Sequence, residues 1–156
     1  MFFVNDTQEN RHKFIEGFLN EETLPIAVLL AAVDFEWTLR RAILALGMSP
    51  TKHIHEVVLN RVSGLWTYSK KWDAEVKARL HLSLQDVVPD WDGLVNAFRL
   101  RGELVHGASG TVKSETGKTV VDRVLAASKA LETYAIQHDN TLYRRIDRRK
   151  PRGATK

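Results

Sequence analysis

The chain predicts an all-α fold, an up-and-down bundle of five or six helices, from three observations. Apolar residues recur at helical spacing in successive stretches, and most stretches open at a capping residue or a proline. No stretch alternates apolar and polar residues convincingly, so no strand is predicted. The 156 residues fit one domain, large enough to bury about two-thirds of the surface its unfolded chain exposes.

Each helix has a local cause. Asp6-x-x-Glu9 reads as a capping box and opens a helix to about Asn20, with Phe14, Phe18 and Leu19 close together on one face. Thr23 and Pro25 start a second helix that ends at Leu46 before Gly47. It is the most apolar of the set, so it belongs at the centre. Ser49-Pro50 starts a third, reaching about Val62, and Ser63-Gly64 breaks it. A fourth spans about Lys71 to Leu84, with Trp72, Val76 and Leu80 one turn apart. Asp90 caps the fifth. Thr119-x-x-Asp122 opens the last, with Val121, Val124, Leu125, Leu131 and Tyr134 facing inward. Residues 108–119 form the one long polar loop, with room for a short hairpin.

Composition narrows the function. The chain has no cysteine, which excludes disulfides, thiolate metal sites and a cysteine nucleophile and fits a cytoplasmic location. The longest apolar run, Pro25 to Val33, falls short of the ~20 residues of a membrane span. The first residues lack the basic-then-apolar order of a signal peptide. Residues 144–156 hold seven Lys or Arg against Asp147, a net of +6; the whole chain carries +4, which leaves −2 for residues 1–143. The expectation is therefore a helical domain over 1–146 and a basic, disordered tail over 147–156. That tail suits phosphate binding or simple solubilisation about equally.

The fifth helix carries the most informative stretch, Asn96-Ala-Phe-Arg99-Leu-Arg101-Gly-Glu103-Leu-Val-His106-Gly107. Arginine binds phosphate through a planar fork of donors, and histidine is the side chain that moves a proton near neutral pH. The span from Arg101 to His106 resembles the R-x4-H signature of HEPN domains, helical domains of RNA-cleaving toxins and antiviral proteins. Arginine, histidine and the final glycine match that pattern, and Arg99 fits the looser R-x6-H form. Gly102 stands where the family usually carries a polar residue, and Ala108 stands where one toxin branch carries a tyrosine.

The resemblance implies a metal-independent endoribonuclease in a toxin–antitoxin or antiviral defence role. No cofactor is expected; the expected partners are an RNA substrate, a second copy of the chain and an antitoxin protein, with no membrane. His106 would move the 2′-hydroxyl proton, and Arg101 would stabilise charge on the transition state. Asn96, Arg99, Glu103 and Asp34 would support the site or hold substrate. A non-catalytic HEPN-like RNA- or protein-binding module is the alternative, favoured by Gly102. Arg101 and His106 lie roughly 140° apart on an ideal helix, so either a distorted helix end or a dimer must bring them together. Arg99 and Glu103 also fit an ordinary i,i+4 ion pair.

Other candidates are weaker. Asp34 and Glu36 interrupt the apolar second helix. Asp34 is the better buried polar partner, placed to orient Arg99 or Arg101; Glu36 fits a half-exposed pair with Arg40 or Arg41. His53 and His55, two apart on a helix, point to opposite sides and do not make a zinc pair. Gly117-Lys118-Thr119 follows Gly110 at the wrong spacing for a phosphate loop. Of four tryptophans, only Trp66, with Tyr68 beside it in a polar linker, reads as a candidate base-stacking residue.

Overall fold

Local chemistry sets the helix ends in this computed structural model, which describes residues 7–107 and 112–139. Seven helices run through the described residues, and no strand does. They are α1 (Gln8–Glu16), α2 (Leu24–Leu46), α3 (Thr51–His53, extended by a π-helical turn Ile54–Val58), α4 (Leu65–Trp72, then π-helical Asp73–Lys77, then Ala78–Leu80), α5 (Leu84–Val87), α6 (Trp91–Val105) and α7 (Ser114–His138). The all-α expectation holds, and the count is higher than five or six.

The differences have local causes. Thr7 caps α1 by accepting the Asn10 N–H at 3.3 Å, so the helix opens one residue later than the capping-box reading placed it. Asp6 itself lies outside the described residues. Gly64, at φ +81°, precedes α4, which therefore begins at Leu65 and not at Lys71. His81 ends α4 in the left-handed region at φ +61°. Ser83 and Asp86 then form a reciprocal capping box that opens the separate four-residue α5. Helix α7 begins at Ser114, so the predicted loop over 108–119 is shorter, and its residues 108–111 lie outside the described residues.

The chain divides into two compact units. The first takes residues up to Phe35 and from Asp90 to Lys129: α1, the first half of α2, α6 and most of α7. Its core includes Ile15, Leu24, Val28, Phe35, Leu94, Val121 and Val124. Phe35 and Phe98 meet edge to face at 5.9 Å, tying α2 to α6. Asp90 caps α6 through Gly93 N–H at 2.9 Å and also meets Arg123 Nε at 3.2 Å, which ties α6 to α7. Gly117 on α7 is buried where a Cβ would collide with Leu24 of α2, so only glycine permits that approach.

The second unit takes Glu36–Pro89 and the chain from Ala130 onward: the rest of α2, then α3, α4, α5 and the end of α7. Leu39, Ile43, Leu46, Ile54, Leu59, Trp72, Val76, Leu84 and Leu131 are fully buried in it. Glu75, in the π-helical turn of α4, accepts the Met48 N–H on its carbonyl at 3.1 Å. Its carboxylate accepts Ser49 N–H and Ser49 Oγ, both at 2.9 Å. A π turn commonly marks a place where an outside partner enters the helical ladder. Arg79 donates to the Leu46 carbonyl at 2.7 Å and so satisfies the C-terminal end of α2. Glu36 accepts Gly64 N–H at 3.2 Å, while Arg40 donates to the Leu59 carbonyl and Arg41 lies over the Trp37 ring. The expected Glu36–arginine pair is thus replaced by a loop anchor. No helix among the described residues is long and apolar enough to cross a membrane.

Candidate active site

Helix α6 positions the motif by burying one side and exposing the other. Gly93, Leu94 and Ala97 are buried, and Phe98 is half-buried against Phe35. The opposite side carries Asn96 and Arg99, both exposed. Arg99 Nη1 donates to Glu103 Oε1 at 2.8 Å, so the two form the i,i+4 pair that their spacing allows. Such a pair contributes only a few tenths of a kcal/mol at an exposed position, and it occupies Glu103 with a charge partner.

Arg101 is half-buried and His106 is exposed. His106 is the C-cap, the residue that follows the last helical residue Val105, and its N–H bonds the Gly102 carbonyl at 3.0 Å. Gly107 follows at φ +70°, the left-handed conformation that stops a helix and favours glycine. Among the described residues, neither the Arg101 nor the His106 side chain has a hydrogen-bond or ion-pair partner. The helix is regular from Trp91 to Val105. Gly102 does not distort it, and the space where its Cβ would stand is open. At about 100° per residue, a regular helix points Arg101 and His106 to different sides. The helix-end distortion that would join them in one chain is absent.

Asp34 has a different role from the one its sequence position pointed to. It is fully buried, as expected, but its partners come from α1 and not from Arg99 or Arg101. Arg11 Nε donates to Asp34 Oδ1 at 2.6 Å, and His12 Nε2 lies 3.2 Å from Oδ2. Burial pushes the Asp34 carboxyl upward, but the hydrogen bonds and charges of His12 and Arg11 outweigh it. The net effect holds the carboxyl below its ordinary value. Arg11 is itself buried, and with Ile15 it forms the inner side of α1. Phe14 is 39% exposed and meets Phe18 edge to face at 5.3 Å. A buried aspartate in an apolar run calls for a compensating partner, but nothing along the chain singles out Arg11 as that partner.

The remaining candidates separate cleanly. His53 and His55 are both exposed, and among the described residues no group of three or more His, Asp or Glu could hold a metal ion. Trp66 is exposed, whereas Tyr68 is buried. Burial raises the Tyr68 hydroxyl above its usual value, partly offset by a hydrogen bond from Arg40. Ala108 and the basic tail lie outside the described residues. No family model, curated protein or solved structure matches the chain.

Proposed function

We propose that the protein is a HEPN-like endoribonuclease that cleaves RNA by attack of the ribose 2′-hydroxyl and needs no metal ion. The observation that carries this reading is the pair Arg101 and His106 at the end of α6, with one side chain exposed, the other half-exposed and neither tied to a partner among the described residues. A histidine whose side chain has no partner among the described residues is available to accept the 2′-hydroxyl proton or return one to the leaving 5′-oxygen. An arginine with no carboxylate partner among the described residues keeps its fork for a phosphate. Products are a 2′,3′-cyclic phosphate and a 5′-hydroxyl. Asn96 and Arg99, exposed on the same helix, serve flanking phosphates, with Glu103 steadying Arg99.

Because α6 is unbroken, one chain does not aim Arg101 and His106 at the same atom. The catalytic arrangement is therefore a two-fold dimer, in which arginine from one copy faces histidine from the other. The +6 charge of residues 144–156 supports an RNA substrate through non-specific attraction to phosphate. A toxin or antiviral defence role, with an antitoxin as partner, follows from the family resemblance alone. The unbroken helix also favours a second reading, a HEPN-like module that binds RNA or protein without cutting it.

Incubation of labelled RNA with the protein in excess EDTA separates the two readings. Cleavage that leaves cyclic-phosphate ends and disappears in His106→Ala supports the nuclease. An intact substrate with wild-type protein, or full cleavage by a folded His106→Ala variant, overturns it.

A further inference from the structure

We infer that the outer side of α2 is a self-association surface, on which a second copy of the chain lays its own α2 antiparallel, about a two-fold axis level with Ala31. The inference stands apart from the catalytic reading above. It uses no residue of α6, and charge selects its partner.

Helix α2 is unbroken from Leu24 to Leu46. Its first ten residues, Leu24 to Val33, are apolar without exception. A helix that is apolar all round belongs in an interior, yet here one side is left in water. Leu24, Ala27, Val28, Ala31 and Ala32 are buried. Ile26 is 43% exposed and Val33 44%, and Leu29 and Leu30 between them are half-buried. These four stand at i, i+3, i+4 and i+7, one stripe along the helix. Helix α7 in the same unit shows the ordinary alternative, with Lys118, Asp122 and Arg123 on its exposed side.

The charges that bracket the stripe fit a second copy. Glu22 is exposed in the turn that leads into α2, where Leu24 N–H bonds the Asn20 carbonyl at 2.9 Å. Arg40 is half-buried beyond the other end, and its Nη1 donates to the Leu59 carbonyl at 2.8 Å, which fixes the guanidinium at that level. Eighteen residues separate the two, five turns at about 3.6 residues per turn, so both lie on the side that carries the stripe. Each is nine residues from Ala31. An antiparallel pair centred there sets Glu22 of one copy opposite Arg40 of the other at both ends, and Leu29 opposite Val33. Glu21 and Arg41, each ten residues from Ala31, add the same signs at the same ends. Glu36, farther round the helix, is engaged by Gly64 N–H. A parallel pair sets like charges together, and a partner of one sign is repelled at one end. A helix acidic at one end, basic at the other and apolar between complements itself when reversed, the symmetry of an isologous dimer.

The test is sedimentation equilibrium of the full chain up to about 100 μM, with circular dichroism to verify that each variant is folded. The wild type should dimerise. Val33→Glu should weaken association more than about 100-fold, because the two-fold axis buries the new charge twice. Glu22→Arg, a change in an exposed turn, should weaken it roughly 3- to 30-fold, since two ion pairs become two repulsive contacts. The Glu22→Arg loss should shrink at about 1 M salt, where charges act over only about 3 Å, and the Val33→Glu loss should persist. Glu115→Arg, a reversal on the exposed side of α7, should change nothing.

A wild type that stays monomeric overturns the inference, as does one affinity shared by wild type, Val33→Glu and Glu22→Arg. Dissociation by Val33→Glu with no effect of Glu22→Arg at low salt overturns the antiparallel pairing. RNA cleavage by folded Val33→Glu monomers leaves this surface standing and removes the composite Arg101–His106 site. A cleaving dimer indifferent to both α2 changes does the reverse.

Discussion

Asp34 and Arg11, twenty-three residues apart in the chain, meet in the interior of the first unit with 2.6 Å between Oδ1 and Nε. Both side chains are buried. Removing one partner of a buried pair strips the other of its main compensation, at a cost of up to about 3–5 kcal/mol. Asp34→Ala should therefore lower the urea midpoint substantially. The double variant Arg11→Met with Asp34→Leu should be more stable than either single change, because it leaves no buried charge. A single variant within about 1 kcal/mol of wild type would show that the pair contributes little.

The same carboxylate sets the acid response. Its folded pKa lies below its ordinary value because His12 and Arg11 outweigh the effect of burial. A group depressed in the folded state contributes stability above its unfolded pKa, about 3.9 for aspartate. That contribution is lost as pH falls through the lower folded value. Stability of the wild type should thus decline from about pH 4 downward, and Asp34→Asn should flatten that part of the curve. The tyrosines act at the other end. Burial raises Tyr68, against the opposing Arg40 contact, and also raises Tyr134. Their contribution is present below about pH 10 and is lost as pH rises further. Urea midpoints measured across pH would check both limbs. An acid limb unchanged in Asp34→Asn would contradict the assignment.

Much of the fold was legible because its signals are local. Pro25 and Gly47 bracket α2, Asp90 caps α6, and Gly64 breaks the chain where the sequence says it should. What could not be read depends on contacts between distant segments. The partner of Asp34 is set by how α1 meets α2, which no spacing along the chain encodes. Gly117 made the start of α7 look like loop, yet the glycine is there to admit Leu24. The π turns in α3 and α4 carry no periodic signature. At the candidate site, the Arg99–Glu103 pair followed from spacing alone. The regularity of α6 across Gly102 did not, since glycine permits either a straight or a bent helix.

Two glycines should respond in opposite directions to alanine. A Cβ at Gly47 would stand 2.5 Å from Ile54 Cδ1 and 2.7 Å from the Ile43 carbonyl oxygen. The carbonyl belongs to backbone and cannot step aside, so Gly47→Ala should cost about 1–3 kcal/mol. Gly102 is helical with open space at its Cβ position, so Gly102→Ala should stabilise by about 0.5–1 kcal/mol. Thermal or urea unfolding of the two variants checks the pair. Destabilisation by Gly102→Ala would mean that the end of α6 is not the regular helix described.

The final prediction concerns how two incomplete copies make one site. If the catalytic arrangement joins Arg101 of one copy to His106 of the other, Arg101→Ala and His106→Ala are each inactive alone. Mixed under conditions that exchange subunits, half the dimers pair the two variants. Each mixed dimer retains one intact arginine–histidine combination and one doubly defective one. The mixture should therefore recover roughly one quarter of wild-type cleavage, as expected for a two-fold dimer with two composite sites. Recovery should rise with the extent of subunit exchange and vanish when exchange is blocked by crosslinking each variant beforehand. A site built within a single chain predicts no recovery at any mixing ratio. Absence of recovery, in a preparation whose exchange has been verified by mass, would place both groups in one subunit and require α6 to bend at Gly102 when RNA binds.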